Sequence, residues 1–229
     1  MTDAPKWRSS SIEDYVKVIY GLRERGDDVT TSSLAARVGV SASSASGMVR
    51  KLAGLGLVAH RPYGTVELTA EGMRLALEMI RRHRLIELFL AETLGYSWDE
   101  VHDEAETMEH AVSDRFIERV YARLGEPTVD PHGDPIPAKD GRISEPDTRR
   151  LAELEPGTEG EIARVSDADP DLLRYLSEHG IRLGAPIRVV ERQPFGGPLV
   201  VRVGHPPKDT ERTFGDVLAG AVSVRITRA

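Results

Sequence analysis

Apolar side chains recur at helical spacing along the first third of the chain, and this pattern predicts three short helices. The first predicted helix spans Ser11 to Arg25 and ends at a Gly-Asp-Asp turn. The second begins at Thr30 or Thr31 and ends at Gly39, and Ser41 caps the third. A glycine-containing turn between two such helices is typical of a helix-turn-helix.

Two strand-like runs follow, Leu57 to Arg61 and Thr65 to Leu68, joined by a Pro-Tyr-Gly turn. A helix-turn-helix followed by a hairpin is a winged helix, and its third helix is expected in the major groove of DNA. The serines at the start of that helix also have a purely local use as N-caps, but the order of elements favours DNA binding. The residues predicted to contact DNA are Ala42, Ser43, Ser44, Ser46, Gly47, Arg50, Lys51, Arg61 and Tyr63.

Longer helical patterns fill the middle of the chain. One runs from Thr69 to about Leu94, and a helix or helix pair runs from Trp98 to about Leu124. Because these helices carry more apolar side chains than a monomeric connector needs, we expect a symmetric dimer. Beyond a polar linker, short β-rich runs and one helix at about Pro170 to His179 predict a small five-stranded barrel.

The predicted fold class is therefore mainly α with small β. The expected division is a winged helix-turn-helix at 1–75, a helical metal-binding and dimerisation domain at 76–140, a linker at 141–149 and a β-barrel domain at 150–229. With no apolar run near about 18 residues and a polar N-terminus, neither a membrane span nor a signal peptide is expected. We expect a cytoplasmic protein.

Charge and cysteine content narrow the function. The net charge is −7, but residues 1–75 carry ten Lys and Arg against eight Asp and Glu, whereas 76–147 carry eight against seventeen. The acidity lies in the middle third, so DNA binding by the N-terminal part is not excluded. The chain has no cysteine, which excludes disulfides, a thiolate nucleophile and a zinc ribbon.

The segment from His102 to His110 carries the candidate chemistry. On a helix, His102, Glu106, Glu109 and His110 would fall within one sector of about 100°. Two carboxylates so close together repel, and a divalent cation bound by imidazole and carboxylate resolves the conflict. His83 and Glu87 repeat the i, i+4 spacing on the preceding helix. One such pair would be interpreted as solvated helix surface, but two helices and the Glu109-His110 doublet favour a metal site.

Two further turns contain residues that could be metal ligands or could have purely structural roles. His132 and Asp134 lie in a proline-framed segment, Pro131 to Pro137, where both residue types have local turn roles, and we interpret them as structural. Asp167 lies in an acidic bend before the barrel helix, where the expected role of an aspartate is N-capping. Asp167 is nevertheless kept as a candidate metal ligand.

Several blocks, in this order, resemble the diphtheria-toxin-repressor family of metal-dependent transcription regulators. They are Glu13-Asp14-Tyr15 with Ile19-Tyr20, Arg82-His83-Arg84-Leu85 with Glu87, Val101 to Ala105, Glu109-His110 and Pro131 to Pro137. The resemblance implies a winged helix, a helical dimerisation domain and a C-terminal FeoA-like barrel of the SH3 type.

The resemblance also implies two metal sites per subunit. The primary site would use Asp14, Glu106, Glu109 and His110, and an ancillary site His83, Glu87 and His102, with Asp167 from the barrel. Iron-responsive members have methionine at the position of Asp14 and cysteine at that of Glu106. The carboxylates here resemble the manganese-responsive branch, although Fe(II), Co(II) and Zn(II) also fit these donors. Lys17 replaces a bridging glutamate of some manganese members, which favours two separated ions.

The resulting hypothesis is a Mn(II)-activated repressor that binds a palindromic DNA operator as a homodimer and controls metal-uptake genes. No membrane and no small-molecule substrate are expected, and the protein is not expected to be an enzyme. The first alternative is an Fe(II)-dependent repressor of the same fold. A two-metal hydrolase is disfavoured because the chain lacks a His-Glu-x-x-His motif. A drug-responsive winged-helix repressor would need an apolar pocket in place of the acidic face.

Overall fold

The computed structural model describes residues 8–60, 64–205 and 208–228. The predicted DNA contacts Arg61 and Tyr63 lie outside the described residues. The chain divides into two compact units, and each is described by itself. The first is Met1–His83 with Pro137–Arg142, and the second is Arg84–Ile136 with Ile143–Ala229.

Three N-terminal helices form where the sequence predicts them: α1 at Ser10–Glu24, α2 at Thr31–Val38 and α3 at Ala42–Gly54. The side chain of Thr30 accepts a hydrogen bond from the Ser33 amide at 3.1 Å, and the Ser33 hydroxyl accepts one from the Thr30 amide at 2.9 Å. This reciprocal capping satisfies two amides that a helix start leaves free. Gly39 then ends α2 with φ of 73°, a conformation that favours glycine.

The predicted hairpin is also present, with β1 at Val58–His60 paired antiparallel to β2 at Val66–Leu68. Helices and hairpin enclose one apolar core. The largest side chains that are fully buried there are Ile12, Ile19, Leu34, Leu52, Leu57, Leu75 and Met79. The N-terminal winged helix is therefore confirmed.

The middle of the chain contains α4 at Ala70–Phe89, α5 at Val101–Met108 and α6 at Asp114–Arg123. The first of these was predicted to reach Leu94, and it does so through a π-helical turn at Leu90–Leu94 that ends at Gly95. The second predicted helical stretch is a helix pair. Leu85, Ile86, Val101, Ala105, Ile117 and Val120 form the core of this part. Among the described residues, no helix is long and apolar enough to cross a membrane.

The C-terminal part is a six-stranded antiparallel sheet. Its strand order is β3-β8-β4-β5-β6-β7, so within the described residues it is a six-stranded sheet with edges at β3 and β7, where a small five-stranded barrel was expected. Its elements are β3 at Arg149–Arg150, β4 at Glu159–Val165, α7 at Pro170–Glu178, β5 at Pro186–Arg192, β6 at Leu199–Val203, β7 at Thr210–Phe214, α8 at Asp216–Ala221 and β8 at Val222–Arg228.

A close backbone approach fixes the start of α4 against the hairpin. A Cβ atom at Gly72 would lie 1.9 Å from the carbonyl oxygen of Leu57. We therefore expect Gly72→Ala to lower the free energy of unfolding by about 1–3 kcal/mol, as overpacking does. Gly21→Ala in α1 is the matched control, since a Cβ there meets only a flexible arginine end at 3.9 Å. That control should stabilise the helix by about 0.5–1 kcal/mol.

Calorimetry on the two variants checks this pair of predictions. A lower midpoint for Gly72→Ala and an unchanged or higher midpoint for Gly21→Ala are expected. Equal midpoints for both variants would show that the contact between α4 and the hairpin is looser than described.

Candidate metal centre

Three potential ligands converge within the second unit. Glu87 on α4, His132 in the loop before the sheet and Asp167 after β4 each offer one donor atom, and these atoms lie within 4.8 Å of one another. Glu87 and His132 are almost fully buried, and Asp167 is half-buried. Imidazole nitrogen and carboxylate oxygen are donors for divalent transition metals.

The loop that presents His132 is built on Asp130. One carboxylate oxygen of Asp130 accepts hydrogen bonds from the amides of His132 at 2.8 Å and Asp134 at 2.9 Å. A bridge between Val129 and Pro135 closes the loop. Because the buried backbone amides are satisfied inside the loop, the His132 ring is held in one place.

The two nitrogens of His132 have different surroundings. Nε2 lies 2.7 Å from the carbonyl oxygen of Trp98, so this nitrogen carries the proton and donates it. Nδ1 is buried and has no hydrogen-bond partner among the described residues. A neutral imidazole that donates from one nitrogen presents a lone pair on the other, which is how metal-ligating histidines are oriented. The ring is therefore arranged as a ligand, and the donor set fits a divalent cation.

The electrostatics around the loop are strongly acidic. Burial raises the pKa of Asp130 to about 7, and the charges of Asp134 and Glu87 act in the same direction. Burial alone would lower the pKa of His132, but the carboxylates of Asp130 and Glu87 outweigh it and raise the pKa. Crowded buried carboxylates are costly unless a positive charge compensates them. A cation bound here would supply that charge.

Other predicted ligands lie nearby on and after α5. His102 Nδ1 lies 3.3 Å from Glu87 Oε1, and His102 Nε2 lies 3.9 Å from Glu106 Oε1. Glu109 is fully buried, and its Oε1 lies 3.5 Å from His110 Nε2. The helix ends at Met108, so Glu109 and His110 lie in the following turn and not on the helical face that the sequence pattern suggested.

The remaining predicted ligands belong to the first unit. Asp14 lies half-buried on α1, and His83 lies buried on α4 one turn before Glu87. Whether Asp14 shares a cation with Glu109 and His110, and whether His83 acts as a ligand, stay predictions.

The structure places His132 in the donor cluster, whereas the sequence analysis assigned it a structural role in a turn. The structure groups Glu87 and Asp167 with His132, a residue interpreted as part of a proline-framed turn. Asp169, and not Asp167, caps α7, since its side chain accepts from the Asp171 amide at 2.9 Å. In the sequence, only the position of His132 between two prolines distinguishes it. That position is by itself a weak signal of a metal ligand.

Seven of the residues predicted to contact DNA lie on α3. Ala42, Ser43 and Ser44 are exposed at its N-terminal end, and the hydroxyls of Ser43 and Ser44 lie 2.9 Å from that of Ser41. Further along, Ser46 and Gly47 are partly exposed, and Arg50 and Lys51 are exposed. Small polar groups followed by cations suit a helix that enters a groove and contacts phosphates.

Three family models match consecutive parts of the chain. Residues 9–66 match the iron-dependent repressor N-terminal DNA-binding domain, and 69–138 match the iron-dependent repressor metal-binding and dimerisation domain. Residues 149–226 match the FeoA domain.

Relatives of known function cover most of the chain. The iron-dependent repressor IdeR of Mycobacterium tuberculosis is 31% identical over 205 residues, which is 84% of this chain and 89% of that protein. The diphtheria toxin repressor of Corynebacterium efficiens is 32% identical over 191 residues, covering 79% of this chain and 83% of that protein.

Solved structures agree with these matches. A manganese-dependent transcriptional repressor in complex with manganese is 49% identical, with a TM-score of 0.86 and coverage of 94% of this chain and 99% of that one. ScaR with bound Zn²⁺ is 34% identical, with a TM-score of 0.78 and coverage of 93% and 98%. From the DNA-binding unit, the donor cluster and these likenesses together, the chain belongs to the diphtheria-toxin-repressor family of metal-dependent transcriptional repressors.

Proposed function

We propose that this protein is a Mn(II)-activated repressor that binds a palindromic DNA operator as a homodimer and controls metal-uptake genes. The observation that carries the proposal is the donor set of the buried Glu87 and His132 with the half-buried Asp167, in which Nδ1 of His132 has its lone pair available and the surrounding loop is acidic. A DNA-binding repressor must reach the chromosome, so we place the protein in the cytoplasm.

The donor chemistry favours manganese. The chain has no cysteine, and the candidate ligands are carboxylates and imidazoles, which suit a hard divalent ion. The 49% identical solved relative is described as manganese-dependent, which supports the same ion here. Fe(II) is the second candidate, because the relatives named iron-dependent repressors have the same domains. Measuring the activation of DNA binding by each ion under anaerobic conditions, where Fe(II) stays reduced, distinguishes Mn(II) from Fe(II).

We propose two ions per subunit. The first centre would use Asp14, Glu106, Glu109 and His110, as the family resemblance implies. The second would use Glu87, His132 and Asp167, with His102 hydrogen-bonded to Glu87. His83, which precedes Glu87 by one turn of α4, remains a further candidate ligand.

The mechanism follows from which part of the chain holds each donor. Asp14 belongs to the helix-turn-helix, whereas Glu106, Glu109 and His110 belong to the dimerisation domain. A bound cation supplies the charge that lets these donors share one site. The carboxylate of Asp14 then holds α1 and, through the apolar core, α3 in the orientation that two half-sites about 34–36 Å apart require. A coupling of about 1–3 kcal/mol between metal and DNA is enough for a switch.

Asp14→Ala tests the first centre. We expect Mn²⁺ to raise the DNA affinity of the unaltered protein and to have at least a fivefold smaller effect on the variant, which is the lower limit of the coupling above. Asp28→Ala, which removes an exposed carboxylate after α1, is the matched control and should respond like the unaltered protein. Fluorescence anisotropy with a labelled operator, at fixed salt, measures both. A full Mn²⁺ response in Asp14→Ala with unchanged dimerisation would reject this ligand.

Lys51→Gln tests the DNA surface. Because Lys51 is exposed on α3 and is assigned to a phosphate, its loss should weaken binding to all sequences alike and reduce the slope of log K against log salt by about 1. Arg23→Gln, an exposed change on α1, is the control and should leave the slope unaltered. If Lys51→Gln changed the preference at a single base pair and kept the slope, the assignment to phosphate would be wrong.

A further inference from the structure

A loop and a strand pack closely beside the second centre. We call this contact the seam; it joins loop residues 132–134 to residues 163–165 of β4. The amide of Val165 donates to the carbonyl of His132 at 2.8 Å. A Cβ atom at Gly133 would lie 2.0 Å from the carbonyl oxygen of Ala163, so only glycine fits this approach. The seam therefore fixes the loop of the dimerisation domain against the FeoA domain.

A buried carboxylate bridges two arginines across the seam. Asp134 is 4% exposed, and its Oδ1 lies 2.6 Å from Arg164 on β4 and 3.3 Å from Arg84 on α4. Burial raises the pKa of Asp134, although the two arginines act against that rise. Arg84 also donates to the carbonyl of Pro135. Charge-assisted hydrogen bonds of this kind restrict the geometry of the groups that make them.

Each member of the bridge lies a short distance along the chain from a donor of the second centre. Arg84 precedes Glu87 by three residues on the same helix, and Arg164 precedes Asp167 by three residues. Asp134 itself follows His132 by two residues. The bridge therefore connects the three segments that supply the three donors, and it does so with protein atoms alone.

We propose that Asp134 is a positioning residue which, through Arg84 and Arg164, holds Glu87, His132 and Asp167 within reach of one cation before the cation binds. The proposal rests on the proposed second centre. Donors that are already assembled bind an ion without the entropic cost of ordering three segments, so the bridge determines the affinity of this centre. The same contacts keep the FeoA domain docked on the dimerisation domain.

Asp134→Asn is the central variant. It keeps the shape of the side chain but removes the charge between two arginines. We expect Mn²⁺ binding to the second centre to weaken at least tenfold, while the first centre keeps its affinity. Asp134→Glu should recover part of the loss. Isothermal titration of full-length protein with Mn²⁺ resolves the two classes of site.

Arg188→Gln is the matched control. Arg188 pairs with Glu159 at 3.6 Å on the exposed surface of the same sheet, and neither residue belongs to the bridge. Loss of that surface pair should leave both Mn²⁺ affinities unchanged. Equal weakening in Arg188→Gln and Asp134→Asn would show a general loss of stability and would overturn the positioning role.

A distance measurement tests the bridge independently of metal binding. Because the chain has no cysteine, the substitutions Glu104→Cys on α5 and Thr213→Cys on β7 allow a spin label to be attached at only these two exposed positions. Spin-labelled chains diluted into unlabelled protein report the distance within one subunit. Without metal, the labelled parent should give one narrow distance distribution, and Asp134→Asn in the same background a broad one that narrows when Mn²⁺ is added.

The outcomes are distinguishable. If His132→Gln leaves the number of bound ions unchanged, the second centre is wrong, while the distance distribution still tests the bridge. A broad distribution in the metal-free labelled parent overturns the proposal, and so does a narrow one in Asp134→Asn together with unchanged Mn²⁺ affinity.

Discussion

The fixed orientation of one buried imidazole is the constraint on which the second unit depends. His132 donates a proton from Nε2 to the carbonyl of Trp98, its Nδ1 is buried with no hydrogen-bond partner among the described residues, and its ring lies beside the carboxylates of Glu87 and Asp167. Such an arrangement is stable only if the loop backbone satisfies its own polar groups and if a positive charge compensates the acids. The Asp130 turn meets the first requirement. Arg84 and Arg164, which pair with Asp134, supply part of the compensating positive charge. We propose that a divalent cation supplies the remainder.

This constraint connects local chemistry to the proposed function. The donors come from a helix of the dimerisation domain, from its terminal loop and from the FeoA domain, so occupation of the centre ties the FeoA domain to the dimer core. The first centre is proposed to tie the winged helix to the same core. Two metal centres that each connect a domain to the dimer core would leave fewer orientations available to the DNA-binding helices. A smaller range of orientations favours binding to two fixed half-sites.

The sequence predicted the N-terminal fold well because its signals are local. Serine or threonine caps, a glycine in the turn and helical apolar spacing identify α1, α2 and α3. The structure contains the side-chain caps of α2 and α3 and the glycine that ends α2, whereas Ser9 at the start of α1 makes no side-chain cap hydrogen bond. The edge strand β7 was missed because Thr210–Phe214 is mostly polar, and only Phe214 at its end is buried in the core. The strand order of the sheet and the identity of its edge strands depend on pairing between segments distant in sequence, which no local pattern encodes.

The candidate site was predicted in part. Glu87 and Asp167 were singled out from the sequence, and the structure brings both to one place. His132 was assigned a turn role because prolines frame it, and only the three-dimensional contact of Nε2 with Trp98 shows that its other nitrogen is buried and not used in a hydrogen bond to the described residues. The helical face proposed to extend to His110 was too long because α5 ends at Met108, two residues before it.

The most direct test of the central claim is the location of manganese in crystals of the Mn²⁺-loaded full-length protein, by anomalous scattering. We expect an anomalous peak coordinated by Nδ1 of His132 and by carboxylate oxygens of Glu87 and Asp167. Crystals that bind manganese elsewhere, with Nδ1 of His132 hydrogen-bonded to protein and no anomalous peak between these three residues, would contradict it.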